Sequence, residues 1–264
     1  MFFVSVGLRL LTPIKIVKLP ELIAQITSET TRDNADIKLY DRDQKYNWSS
    51  LIYFDPSNNL NIQLPTDPAL SISFGSKDIK KSIDENLARY LNQSFISSLE
   101  RNNFKKDDAH TIKYIGSNVD YVPTLYTDGE YLCQVELGGT WLPSLNCIRS
   151  SDIQNKVTLA NEFNKAYVAS SFYQKDDNPI SIGVNKVEDS STAGYKIATA
   201  SIGTFGQEGG AVMDLYQKDG VWKVFRIAQG PGSCDEYDKN PDAKAAYKGV
   251  GDCIDQKTNS EIKI

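Results

Sequence analysis

Four cysteines fall in this chain as two local pairs, Cys133 with Cys147 and Cys234 with Cys253, each bracketing a stretch with turn residues. Four cysteines allow three connectivities, and local pairing is the one expected, because the nested and crossed alternatives join separate segments. Spacing alone leaves those alternatives open. No C-x-x-C is present and only 1 histidine occurs in 264 residues, a poor basis for a zinc site or a thioredoxin-like redox site. Two disulfides call for an oxidising compartment, so the expected address is extracellular or cell surface.

The second pair closes the tail. Asp219-Gly220 lies between two apolar-rich runs, and both central residues of a type I′ turn need positive φ, which few residue pairs tolerate. A two-residue loop sets Gln217 against Trp222, Leu215 against Val224 and Met213 against Arg226. It leaves Val212, Tyr216, Phe225 and Ile227 on the other face. Both faces are partly apolar, which calls for a helix on one and another part of the chain on the other. Gln229-Gly230-Pro231-Gly232 ends the strand, and Ser233 to Cys253 is polar with no apolar period. Joining Cys234 to Cys253 removes roughly 3 kcal/mol of loop entropy from the unfolded chain, enough to order such a tail. A calcium loop over Asp238, Asn240 and Asp242 is the competing reading. Ala243 stands where that loop needs glycine, and Gly249 where it needs a bidentate glutamate.

The length suggests two domains or one large one, and the net charge of −5 with no dense Lys/Arg stripe argues against nucleic acid as a partner. At the N-terminus, MFFVSVGLRLLTPIKIV carries Arg9 and lacks a basic start, unlike a signal peptide, and is too short to span a bilayer. It reads as a genuine segment, the alternative being the stub of a removed anchor or export signal.

Along the chain, Pro20 to Ile26 reads as a short helix, and strands are expected at Asp36–Tyr40, Leu51–Phe54 and Leu60–Leu64. A helix is expected from Ser76 to Arg101, with Ile79, Ile83, Leu87, Leu91, Phe95 and Leu99 along one face and Asn102-Asn103 ending it. Strands follow near Thr111–Ile115 and Tyr131–Leu137. Ser151 with Gln154 reads as a capping box opening a helix that ends near Tyr173, and Ile180–Val187 and Tyr195–Ile202 read as strands. Each half runs helix, strand, turn, strand with Asp-Gly-x-aromatic, at Asp128 to Tyr131 and Asp219 to Trp222. The expected fold class is α+β: antiparallel sheets with long helices packed against them, as one body or as two tandem helix-on-sheet units. The expected parts are an N-terminal segment with a short helix (1–34), an α+β domain (35–148) and a second α+β domain with the disulfide-closed tail (149–264).

No nucleophile elbow, Walker-type loop or dinucleotide fingerprint occurs. His110, beside Asp107 and Asp108, reads as a solvated histidine at a helix end, and a base only if a nucleophile reaches it. Asp176-Asp177 and Asp235-Glu236 read as solvated turns, with acid–base work open only to a carboxyl buried among apolar groups. Trp48, Trp141 and Trp222 offer stacking surface for sugar or peptide, but aromatics at strand positions more often fill a core. Asn47-Trp48-Ser49 and Asn92-Gln93-Ser94 have the form of glycosylation sequons. No catalytic residue, cofactor or metal site is assigned.

The tail, from Gly209-Gly210-Ala211 through Asp219-Gly220-Val221-Trp222-Lys223-Val224 to Gln229 and Cys234…Cys253, resembles the C-terminal end of uncharacterised exported or cell-surface proteins of small-genome bacteria. The resemblance covers the last quarter to third of the chain. It implies a secreted or surface protein, usually membrane-anchored by an N-terminal helix, and no known activity; this chain departs from it in lacking a clear anchor. The function expected is a non-enzymatic binding or surface-interaction module, its partner a protein or glycan of the cell envelope. It would be anchored, if at all, through a segment missing from or near the N-terminus. A pilin-like appendage subunit, whose C-terminal disulfide loop this tail resembles, is one alternative, although the long apolar assembly helix is lacking. A cell-wall-directed hydrolase is the other.

Overall fold

Sheet dominates this chain, which corrects the expectation of antiparallel sheets carrying long helices. The computed structural model describes residues 17–39, 51–56, 60–66, 70–78, 81–112, 123–137, 143–175, 180–204 and 210–264. Among them are helices α1 (Leu19–Asp33), α2 (Glu85–Arg101), α3 (Ser150–Val168), α4 (Cys234–Asp238) and α5 (Pro241–Tyr247). The first strands are β1 (Ile37–Leu39), β2 (Leu51–Phe54), β3 (Leu60–Pro65), β4 (Ser71–Ser76) and β5 (Lys105–Lys106). Next come β6 (Thr124–Thr127), β7 (Tyr131–Leu137), β8 (Pro143–Arg149), β9 (Ile180–Asp189) and β10 (Tyr195–Thr204). The last are β11 (Ala211–Lys218), β12 (Val221–Ala228), β13 (Gly232–Ser233), β14 (Asp252–Asp255) and β15 (Ser260–Lys263).

Two helix boundaries explain part of the shift toward sheet. Ser76 closes β4, paired with Ile37, and the helix expected from there starts only at Glu85, where the Asp84 carboxylate accepts from the Asn86 and Leu87 N–H groups. Ile79 lies outside the described residues; Leu91, Phe95 and Leu99 do form the buried face of α2. At α3 the Ser151 capping box does not form: Arg149 is the N-cap without a side-chain bond, and the Ser151 hydroxyl donates to Asp152. That helix stops at Val168, short of Tyr173. The strand expected at Thr111–Ile115 lies largely outside the described residues.

The strands form three sheets, ordered β1-β4-β8-β7-β6-β5, β12-β11-β10-β9-β3-β2 and β13-β14-β15. In the second, β3 and β9 run parallel, Leu60 beside Ile180 and Ile62 beside Ile182. Sheet boundaries therefore do not follow the division at residues 148 and 149, because β2 and β3 belong with β9–β12.

The layers follow from strand alternation. On the first sheet Tyr131, Cys133, Val135, Leu145 and Cys147 face α1 and α2, where Leu22, Leu91, Phe95 and Leu99 cover them. The other face offers Leu125, Leu132 and Ile148 to a second core with Ile52, Phe54, Phe163 of α3 and the inner face of the second sheet. Fully burying each large apolar side chain contributes about 1.5–3 kcal/mol. β2, an edge strand of the second sheet, leans on the first: its Tyr53 N–H donates to Oε1 of the fully buried Gln134 at 2.8 Å.

The β11–β12 hairpin turns at Asp219 (φ 53°) and Gly220 (φ 78°). Gln217 pairs with Trp222 and Leu215 with Val224, and then the register slips: Asp214 pairs with Arg226 and Met213 with Ile227, not Arg226. The extra residue is Phe225, a bulge that puts Phe225 and Arg226 on the same side and returns Ile227 to the α3 face. Both faces of the hairpin are covered, by α3 on one side and by Tyr237, Ala243, Ala246 and Tyr247 of the tail on the other.

Candidate binding site

Among the described residues, the helix–sheet unit built from α3 and β9–β12 leaves a cavity at one end. Antiparallel order brings to that end the start of β9, the end of β10, the start of β11 and the end of β12, beside the C-terminus of α3. A cavity of about 540 Å³ lies there, within the range typical of small-molecule sites. Ile180, Ile202, Ala211 and Ile227 supply its apolar wall, and Gly203 and Gly210 bring backbone to its surface. Tyr167 and Phe172 add aromatic rings, while Gln174, Thr204 and Gln229 add neutral polar groups. Tyr167 and Ile202 are buried, whereas Phe172 and Tyr173 remain 39% and 40% exposed.

Local bonds hold this wall in place. The Ser170 hydroxyl donates to the Tyr167 carbonyl and accepts from the Phe172 N–H, turning the chain sharply after α3. The Gln174 N–H donates to the Tyr167 phenol oxygen at 3.3 Å, and the Tyr173 ring meets Tyr167 edge-on. Across the cavity the Gln229 amide donates to the Gly210 carbonyl at 2.9 Å, tying the end of β12 to the approach to β11. Among the described residues the lining carries no charged side chain, so the site favours a ligand that brings no net charge into it.

The residues singled out from sequence are placed as follows. Cys133 and Cys147 are bonded, as are Cys234 and Cys253. The first pair joins directly opposed residues of β7 and β8, fully buried under α2. The second joins the start of α4 to β14. His110 sits in a turn past β5, not at a helix end, with Nδ1 2.9 Å from Asp107 and its ring stacked on Phe54. Asp108 pairs with Lys106. Trp222 is 7% exposed and packs edge-on against Phe163, so it is core and not stacking surface. Trp48, Trp141, Asp176, Asp177 and the Asn47 sequon lie outside the described residues. Asn92 lies within α2 with its Oδ1 buried.

The tail carboxylates have structural tasks. Glu236 and Ser233 form a capping box for α4, and Asn240 caps α5 by accepting from the Ala243 N–H. Asp238 pairs with Lys244. Asp242 accepts from both Lys218 and the Tyr195 hydroxyl, and these bonds lower its pKa. Asp214 and Arg226 make a buried pair, with side chains only 8% and 12% exposed. Burial raises the Asp214 pKa in spite of the guanidinium, and it pushes the Tyr237 phenol up to about 12. Among the described residues no group of three or more His, Cys, Asp or Glu side chains is placed to hold a metal ion, and no helix is long and apolar enough to cross a membrane.

Sequence reasoning missed the cavity. Its residues come from six separate stretches, and none has an unusual local pattern. The faint signal was Gln229 with the glycines flanking the strand ends. In comparison with known proteins, the chain matches no family model, no curated protein and no solved structure.

Proposed function

We propose that this chain is a non-enzymatic, extracytoplasmic binding module that holds its ligand in the cavity between α3 and the ends of β9–β12. The observation that carries the reading is the composition of that cavity, in which aromatic and aliphatic side chains alternate with amides and a hydroxyl on braced backbone. Such a lining selects and orients a ligand without activating a nucleophile. The two disulfides fit an oxidising compartment, and secretion or surface attachment is the address that goes with them. The likeness of the tail to exported bacterial proteins points the same way.

The test is a titration of isotopically labelled protein with solubilised cell-envelope material. Backbone amide shifts concentrated at Gln174, Thr204, Gly210 and Gln229 support the reading. An unchanged cavity, or shifts confined to the α1–α2 side, overturns it.

A further inference from the structure

We infer that the cavity takes a neutral saccharide, an inference that rests on the binding reading above and names its ligand class. Three features of the site converge on this chemistry. First, among the described residues the wall is uncharged, and a carboxylate, sulfate or ammonium group entering it would be desolvated without a counter-charge from them. That disfavours acidic glycans and charged peptides.

Second, polar and apolar groups are interleaved. Phe172 brings a partly exposed ring to the lining beside the buried Tyr167, and Gln174, Thr204 and Gln229 bring neutral polar side chains to it from separate stretches of the chain. A pyranose ring has the matching character: a C–H face that packs on an aromatic ring, and a rim of hydroxyls that donate to and accept from amides. A hydrocarbon chain would instead strip water from those amides and return nothing. Third, the cavity lies at the end of the strands and not along an edge. An extended peptide would add to a strand edge, and the edge strand β12 is interrupted by the Phe225 bulge.

The experiment uses the full chain with both disulfides intact. Labelled protein is titrated separately with maltotriose, triacetylchitotriose, trigalacturonate, dodecanoate and a neutral tetrapeptide, following the amides of Gln174, Thr204, Gly210 and Gln229. Saturable shifts with either neutral trisaccharide and none with trigalacturonate are expected. Phe172→Ala should weaken that binding about tenfold, the size of one lost aromatic contact. Because Phe172 is part exposed, this variant keeps the native spectrum elsewhere; Gln174→Ala, at another exposed position, provides a second check. Cavity shifts with dodecanoate or the peptide, but with neither sugar, overturn the saccharide assignment and leave the binding reading standing. Silence from all five probes overturns the saccharide assignment, while the envelope titration decides the broader reading on its own.

Discussion

Gln134 accepts a hydrogen bond from the backbone N–H of Tyr53, and through it an edge strand of one sheet is joined to the face of another. Its amide nitrogen donates to Glu136, so both ends of the side chain are engaged. Gln134→Leu keeps the volume but removes the acceptor. Leaving a buried N–H without this partner costs about 1–3 kcal/mol. Urea denaturation should show that loss, and hydrogen exchange at Tyr53 should accelerate more than exchange in β10. Equal stability of the variant would mean that the contact between sheets does not depend on this bond.

The two disulfides should differ in how they respond to reductant. Cys133 and Cys147 are both 0% exposed, whereas Cys234 lies at the partly covered start of α4. Mild reduction without denaturant should therefore release two thiols, from the tail, and the other two only after unfolding. Alkylation followed by mass spectrometry distinguishes the sites. Any thiol in the untreated protein contradicts the pairing. A Cys234→Ser, Cys253→Ser variant opens a bridge of sequence separation 19 and should lose about 3 kcal/mol, seen as a lower Tm.

Two tail carboxylates should give stability slopes of opposite sign with pH. Asp242 has its pKa lowered from 3.8 by Lys218 and Tyr195. Its contribution is present above the unfolded pKa and disappears as pH falls through the lower folded value. Asp214 is raised above 3.8 by burial. Its protonated form is favoured by the fold, so that contribution is present below the unfolded pKa and is lost as pH rises through the higher folded value. Asp242→Asn should flatten stability below pH 4, and Asp214→Asn should flatten it above. Urea midpoints across the acid range give both slopes, and the same sign for both would contradict the assignment.

Gly220 holds φ at 78° with open space where a Cβ would go, so a substitution there meets only backbone strain. Gly220→Ala should cost about 1 kcal/mol. The hairpin register should survive, as judged by cross-strand contacts between Gln217 and Trp222. A neutral result would mean that the turn relaxes to another type.

Local rules read the hairpin well as far as Val224, because a two-residue turn dictates pairing outward from itself. They failed at Phe225, a bulged residue that turn chemistry does not foresee and past which Arg226 stands opposite Asp214. The face of α2 was legible from its four-residue spacing, but its start was not: Ser76 is the last residue of β4 and pairs with Ile37, far back in the chain. Strands β6 and β8 were missed because they are half polar and draw their stability from neighbours. Ser144 and Asn146 are buried polar residues within β8, where alternation gives no warning. Prediction of the cavity failed for a related reason: sequence shows which residues are aromatic or amide-bearing, but not that the ends of four strands converge on them.

The parallel pairing of β3 with β9 couples residues 60–63 to residues 180–183, with strands β4–β8 of the first sheet between them in the chain. A chain emerging from synthesis or from an export channel cannot close this sheet until its second half has arrived. Severing it near residue 149 would strand Ile52, Ile62 and Leu64 without the surface that hides them, so each fragment should aggregate in isolation. Such a long-range closure also predicts slow, late-committing folding. Folding of the second sheet is thereby tied to residues from both ends of the chain.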